Sequence, residues 1–207
     1  MAPGVYWVRM PLPLALDHIN LWLLRDGAGW TIVDCGFATE EARSLWERVF
    51  TKHLEGRPVT RLIATHFHPD HIGLAAWLCE KFGLAPTMTK SEYLLAHAAF
   101  NAVAGAARAD FLALSRCHGL DEATLAGMGL PESGYRRGVP ALPHAFQRIK
   151  DGDAVAVDGR LWRVMVGYGH SPEHAALYCD ALGAMIAGDM VLPRISTHVG
   201  VWPMEPE

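Results

Sequence analysis

Residues 65–71 of the chain read Thr-His-Phe-His-Pro-Asp-His, three imidazoles and a carboxylate inside one short loop. His66 and His68 stand two apart, so in an extended segment both side chains leave on the same side and offer a pair of nitrogen ligands to one metal ion. Pro69 fixes the backbone behind them and helps to turn the loop. Asp70 and His71 follow the turn and address a neighbouring point, suited to a second metal. A lone histidine is more often a surface residue, or a core residue satisfied by backbone groups. A His-x-His-x-Asp-His run at a strand end joins ligand types to a setting that favours metal. Four residues from one loop enclose an ion poorly, so remote ligands are expected. "VGYGHSPEH" (166–174) ends a strand with His170, and "MIAGDMV" (185–191) ends another with Gly188 and Asp189. Either alone reads as a turn or cap; beside the loop they add a third nitrogen and a carboxylate able to bridge two cations.

These residues need a frame. Residues 5–10, 18–25 and "WTIVD" (30–34) read as strands, the last two joined by the turn "DGAG". Thr39 caps a helix whose first turn carries Glu40 and Glu41, and Leu45, Trp46, Val49 and Phe50 recur at helical spacing. "VTRLIAT" (59–65) reads as a buried strand that runs straight into the histidine loop, and "IGLAAWLCEKFG" (72–83) as a helix closed by Gly83. Residues 90–130 turn alanine-rich with helical patterning and lead into a loop holding "YRRGVPALP" (135–143), so a helical insert is expected over about 90–145. Strands return as "AVAVDG" (154–159), "LWRVMVGY" (161–168), "AALYCD" (175–180) and "AMIAGDM" (184–190). Two β-rich halves around a helical insert predict an α+β fold of two stacked sheets with helices outside. With no repeats, low-complexity tract or linker, one domain over residues 1–207 is expected.

The 18 basic and 22 acidic residues leave a formal charge of −4, which argues against a general affinity for nucleic acid or anionic membrane. No segment has the unbroken apolar length of a membrane span. The apolar start is interrupted by Pro11, Pro13, Asp17 and His18 and lacks a basic leader, so it does not read as a signal peptide. Cys35, Cys79, Cys117 and Cys179 are scattered without paired spacing, as reduced cysteines of a cytoplasmic protein are.

"THFHPDH", "GHSPEH" and "AGDM", in this order, resemble the successive metal motifs of the metallo-β-lactamase superfamily, most closely its glyoxalase-II-like hydrolase branch. "IVDCG" (32–36) resembles that family's early Asp-x-Gly element. The resemblance runs from about Asn20 to Asp189. It implies a four-layer αββα sandwich with a two-metal site at one sheet edge, here with a helical insert and a short C-terminus. It also implies that His66, His68 and His170 hold one metal, that Asp70 and His71 hold a second, and that Asp189 bridges both. Asp34 would orient the loop by hydrogen bonding, and His174 would be structural. The family pattern normally has a further histidine well downstream of the bridging Asp, whereas this chain stops at Glu207. Either it is a piece of a longer protein, truncated after the bridging-Asp motif, or its second metal position is incomplete. His198 is the sole downstream histidine, a substitute ligand or a plain loop residue.

The chemistry implied is hydrolysis by a water that two cations acidify, aimed at an ester-type bond such as a thioester, lactone or lactam of a small molecule. Asp70 would orient the nucleophile and carry its proton. Zinc is the expected metal, one or two ions, with iron or manganese as alternatives. The competing readings are a two-metal phosphodiesterase or nuclease and a non-catalytic metal-binding protein. The insert would lie over the metals as a lid or serve a homo-oligomer contact. Tyr135, Arg136 and Arg137 at its end would bind a substrate carboxylate, unless they form a solvated loop.

Overall fold

The computed structural model describes residues 1–127 and 134–204, so residues 128–133 of the expected insert lie outside the described residues. A six-stranded sheet has the spatial order β1 (Val5–Pro11), β2 (His18–Asp26), β3 (Gly29–Val33), β4 (Val59–Ile63), β5 (Thr87–Met88), β6 (Gln147–Arg148). Its first three strands are antiparallel neighbours, and β3 to β6 run parallel. A four-stranded antiparallel sheet has the order β10 (Ala184–Ile186), β9 (His174–Cys179), β8 (Arg160–Gly167), β7 (Ala154–Val157). The helices are α1 (Glu40–His53), α2 (Pro69–Ile72), α3 (Ala75–Phe82), α4 (Lys90–Phe100), α5 (Arg108–Cys117) and α6 (Glu122–Gly127).

The residue patterns explain the layers. Strand β3 is buried throughout: Trp30 and Ile32 face a core shared with Ala42 and Trp46 of α1 and Leu78 of α3, while Val33 joins a second core between the sheets. A strand covered on both faces reads as a near-continuous apolar run, and in "GWTIV" the one buried hydroxyl, Thr31 Oγ1, donates to Asp26 Oδ2 at 2.8 Å. Strands β7 and β8 alternate instead. Val155, Val157, Trp162 and Val164 point inward against Val5, Leu24 and Ile63 of the larger sheet. Leu161, Arg163 and Met165 point to solvent. Full burial of such apolar side chains contributes about 1.5–3 kcal/mol each, so the inter-sheet core holds the two halves together. The architecture is thus the expected α+β sandwich with a helical insert between its halves.

Thr39, extended at φ −114°, caps α1 by accepting a 3.0 Å hydrogen bond at Oγ1 from Ala42 N. The helix expected over 72–83 is shorter and begins at Ala75, because Pro69 starts its own turn, α2. Gly73 separates the two where three backbones meet: a Cβ there would lie 2.4–2.6 Å from the carbonyl oxygens of Gly138, Pro69 and Gly36. The β4–α2 loop, the β8–β9 loop and the turn after β10 converge at one edge of the sandwich. Ala175 N donates to Thr65 O across the two sheets there, at 2.8 Å.

Candidate metal centre

Asp34 follows directly on β3 in the left-handed region, φ +61°, a conformation that aspartate tolerates better than most residues. From there its buried carboxylate accepts from Thr65 N (2.7 Å), Thr65 Oγ1 (2.8 Å) and His71 Nδ1 (2.8 Å). The loop after β4 is therefore tied to the end of β3 at both its start and its finish. Thr65 Oγ1, donating to Asp34, lies 3.0 Å from His66 Nδ1 and can accept its proton. His170, in the turn beyond β8, donates from Nδ1 to the carbonyl of His198 at 3.0 Å. These outward bonds fix the neutral tautomers: when uncharged, His66, His71 and His170 each present a bare Nε2 inward.

The inward atoms cluster. His66 Nε2 is 2.9 Å from His68 Nδ1 and 3.2 Å from His170 Nε2. Asp189 places Oδ2 3.4 Å from His170 Nε2 and Oδ1 3.4 Å from His71 Nε2, which is also 3.7 Å from Asp70 Oδ2. The structure thus brings together two donor sets, His66–His68–His170–Asp189 and Asp70–His71–Asp189, each with its atoms within 4.8 Å of one another. His71 Nε2 is buried with no hydrogen-bond partner. A buried polar atom left unpaired is costly, and a cation among crowded ring nitrogens would satisfy them together. The donor chemistry, nitrogen with carboxylate oxygen, suits a divalent transition metal.

Among the side chains alone, burial and charge act in opposite directions on the two donor sets. Burial, then the neighbouring imidazoles, hold His66 and His68 well below the ordinary histidine range. Burial opposes charge on His71, yet Asp34 and Asp70 outweigh it and lift the imidazole well above that range. Burial raises the Asp70 carboxyl; it also penalises Asp189, but His71 and the other imidazoles bring that group down to about 2. His174, fully buried, is pulled from 6.5 to about 4 by burial and then by His71. A histidine with a depressed folded pKa stays neutral in the fold while the unfolded chain takes up its proton. Stability is then complete above pH 6.5 and drains away as pH falls toward 4, by about 3 kcal/mol for His174 alone. His71, shifted upward, has its full contribution already in place below pH 6.5 and does not offset the loss. Urea unfolding of chelator-treated protein across this window is expected to show the decline, and a flat profile would refute it.

His174 has the structural place expected of it. Its Nε2 accepts from Asp189 N at 3.1 Å, which fixes the turn that carries the carboxylate. Gly188, φ +51°, permits that approach, because a Cβ would lie 2.5 Å from the ring.

The residues whose roles the sequence left open take these places. The His198 side chain is exposed and outside both donor sets, and the residue reaches the cluster through its carbonyl instead. Tyr135 does not offer its hydroxyl to an anion, because the group donates to Phe67 O. Arg136 donates from Nε to Phe100 O at 2.7 Å and lies 4.0 Å from the Phe100 ring centroid; Arg137 is exposed.

Sequence reasoning missed Glu92 and Trp202. Glu92, on α4, is fully buried, shares a face with Leu95 and Ala96, and contacts both histidine loops. An acid three and four positions ahead of buried apolar residues was the available signal. Trp202 packs beside Phe67 and His68, with ring centroids 5.2 and 6.0 Å apart.

Comparison with known proteins places this geometry. Residues 14–206 match the sequence profile of the metallo-beta-lactamase superfamily. A probable metallo-hydrolase, YqjP of Bacillus subtilis (strain 168), is 23% identical over 201 residues, 92% of this chain and 58% of its own length. A crystal structure of a beta-lactamase domain protein from Burkholderia ambifaria is 50% identical, with a TM-score of 0.84 over all of this chain and 61% of that one. A metallo-beta-lactamase family protein from Thermus thermophilus, TTHA1429, is 31% identical, with a TM-score of 0.79 over 97% of this chain and 64% of its own. The chain therefore spans about three-fifths of the length of these relatives. Since the profile match runs through all three segments that carry the donor sets and the Burkholderia structure overlies the whole chain, the protein belongs to the metallo-β-lactamase superfamily.

Proposed function

We propose that the protein is a two-metal hydrolase of small molecules carrying an ester-type bond, a thioester, lactone or lactam, with zinc as the resident metal. The observation that carries this reading is the set of inward nitrogen lone pairs whose outer nitrogens are already locked by Thr65, Asp34 and the His198 carbonyl. His66, His68 and His170 would hold one cation, Asp70 and His71 a second, and Asp189, common to both donor sets, would serve both. Bound divalent cations supply Lewis acidity and lower the pKa of water. The chain's own contribution is placement and proton handling. Burial raises the Asp70 carboxyl above the ordinary aspartate range, and from its place beside the second set it would accept a proton from an attacking water and pass it to a leaving group. Asp34 keeps His71 in the tautomer that presents Nε2.

A cavity of about 750 Å³ flanks the His170 loop and is lined mainly by apolar groups, among them Leu94, Leu95, Ala98, Val201 and Met204. Its size and lining fit the apolar part of a small substrate better than a polyanion. The net charge of −4 points the same way. Among the described residues no helix is long and apolar enough to cross a membrane. Four free cysteines, Cys117 exposed, favour a reducing compartment, which we take to be the cytoplasm. Exposed Leu94 and Val103 on the insert keep a homo-oligomer contact within the proposal.

Purified protein is expected to carry about two transition-metal ions per chain, to lose activity to a chelator, and to regain it with zinc, iron or manganese. A panel of thioesters, lactones, a chromogenic lactam and phosphodiesters tests the substrate class. Fast phosphodiester cleavage with slow ester-type turnover would replace this reading with a phosphodiesterase. Metal-loaded protein inert to the whole panel would favour a binding protein.

A further inference from the structure

Glu92 belongs to the helical insert, yet its carboxylate touches both loops that carry imidazoles. Its Oε2 accepts from Phe67 N at 2.9 Å, and Phe67 is the residue between His66 and His68. Its Oε1 accepts from Ser171 Oγ and from Glu173 N, both at 2.7 Å, just after His170. The carboxylate is fully buried, with all three donors coming from those two loops, so it can serve as a rigid clamp. The surroundings reinforce it. Thr89 Oγ1 donates to Glu173 O at 2.9 Å and Ser91 N to Glu173 Oε2 at 3.0 Å, knitting the start of α4 to the His170 loop. Tyr135, also in the insert, donates to Phe67 O. The insert therefore grips the peptide between the paired histidines at both its N–H and its carbonyl.

We propose that Glu92 is a positioning residue that sets the spacing between the His66–His68 pair and His170, and that Tyr135 assists it, so the insert is part of the metal-binding frame and not only a cover. The inference rests on the reading of the cluster as a metal centre. Outer partners of metal ligands act by fixing ligand orientation, and their loss typically weakens metal binding about 10- to 100-fold.

Glu92→Gln keeps the volume but makes one of the two acceptor atoms an N–H₂, which must confront either Phe67 N–H or the Ser171–Glu173 donors. Cobalt(II) titration of chelator-treated protein reads both affinity and, through the visible absorption bands, ligand geometry. Glu92→Gln is expected to weaken cobalt binding about 10- to 100-fold and to shift the bands. Tyr135→Phe is expected to move both in the same direction by less. Leu78→Ala, a core truncation on α3, is expected to lower Tm with wild-type bands, separating positioning from general loss of stability. Glu92→Gln with wild-type affinity and bands would overturn the proposal. Should that variant fail to fold, wild-type behaviour of Tyr135→Phe would overturn it equally. Wild-type protein that takes up no cobalt would overturn the metal-centre reading itself, a result distinct from either variant outcome.

Discussion

Replacing Asp189 with alanine is expected to lower kcat/KM on the preferred substrate by about three orders of magnitude or more and to cut bound metal to about one ion per chain or fewer. The size follows from the position of the carboxylate. Its two oxygens lie 3.4 Å from nitrogens of different donor sets, His71 and His170, so one truncation removes a ligand from both. Loss of several kcal/mol of transition-state stabilisation corresponds to about a thousandfold in rate. The fold should survive, because the turn is held through backbone: Asp189 N donates to His174 and Asp189 O accepts from Thr197 Oγ1. Asp189→Asn keeps the shape without the charge and should retain more metal than alanine at still-depressed turnover. Metal emission spectrometry beside steady-state kinetics measures both. An alanine variant with full metal and full rate would remove Asp189 from the centre.

The difference between the legible and the hidden parts of the site is one of range. The loop from His66 to His71 follows one strand, so ligand type, spacing and setting are all local and the sequence displays them. His170 and Asp189 were reachable because each closes an apolar run after a glycine. Which ring nitrogen faces inward depends on Thr65 Oγ1, Asp34 and the His198 carbonyl, contacts made only once the sheets stack. Glu92 sits in the first turn of an alanine-rich helix, where an acid ordinarily serves the helix end. Its burial against two loops 25 and 79 residues away is tertiary. Tyr135 and Arg136 looked like an anion clasp because they are polar and flanked by glycine, but the fold turns them onto backbone carbonyls. His198 shows a further limit: reasoning from side-chain chemistry asks what an imidazole binds, whereas here the residue acts through its peptide oxygen.

Asp34 tests this hidden layer most sharply, because two substitutions there should fail in different ways. Alanine leaves the buried Thr65 N–H and His71 Nδ1–H without acceptors and strips the lifted imidazole of a carboxylate that holds its proton. Removing one partner of a buried pair costs about 3–5 kcal/mol, and alanine at φ +61° adds strain of about 1 kcal/mol. Asparagine tolerates that backbone and fills the same volume. Its Oδ1 can still accept from Thr65 N, but its amide then presents N–H to His71 Nδ1. With that carboxylate's charge gone, the neutral imidazole avoids the clash by carrying its one proton on Nε2, the atom that faces Asp70 and Asp189. Asp34→Asn is therefore expected to stay folded, to keep the ion at His66, His68 and His170, and to bind the ion at Asp70 and His71 about 10- to 100-fold more weakly. Urea unfolding reads the first effect and stepwise metal titration the second. An asparagine variant that binds both ions as tightly as the parent would show that His71 does not need Asp34 to present its nitrogen.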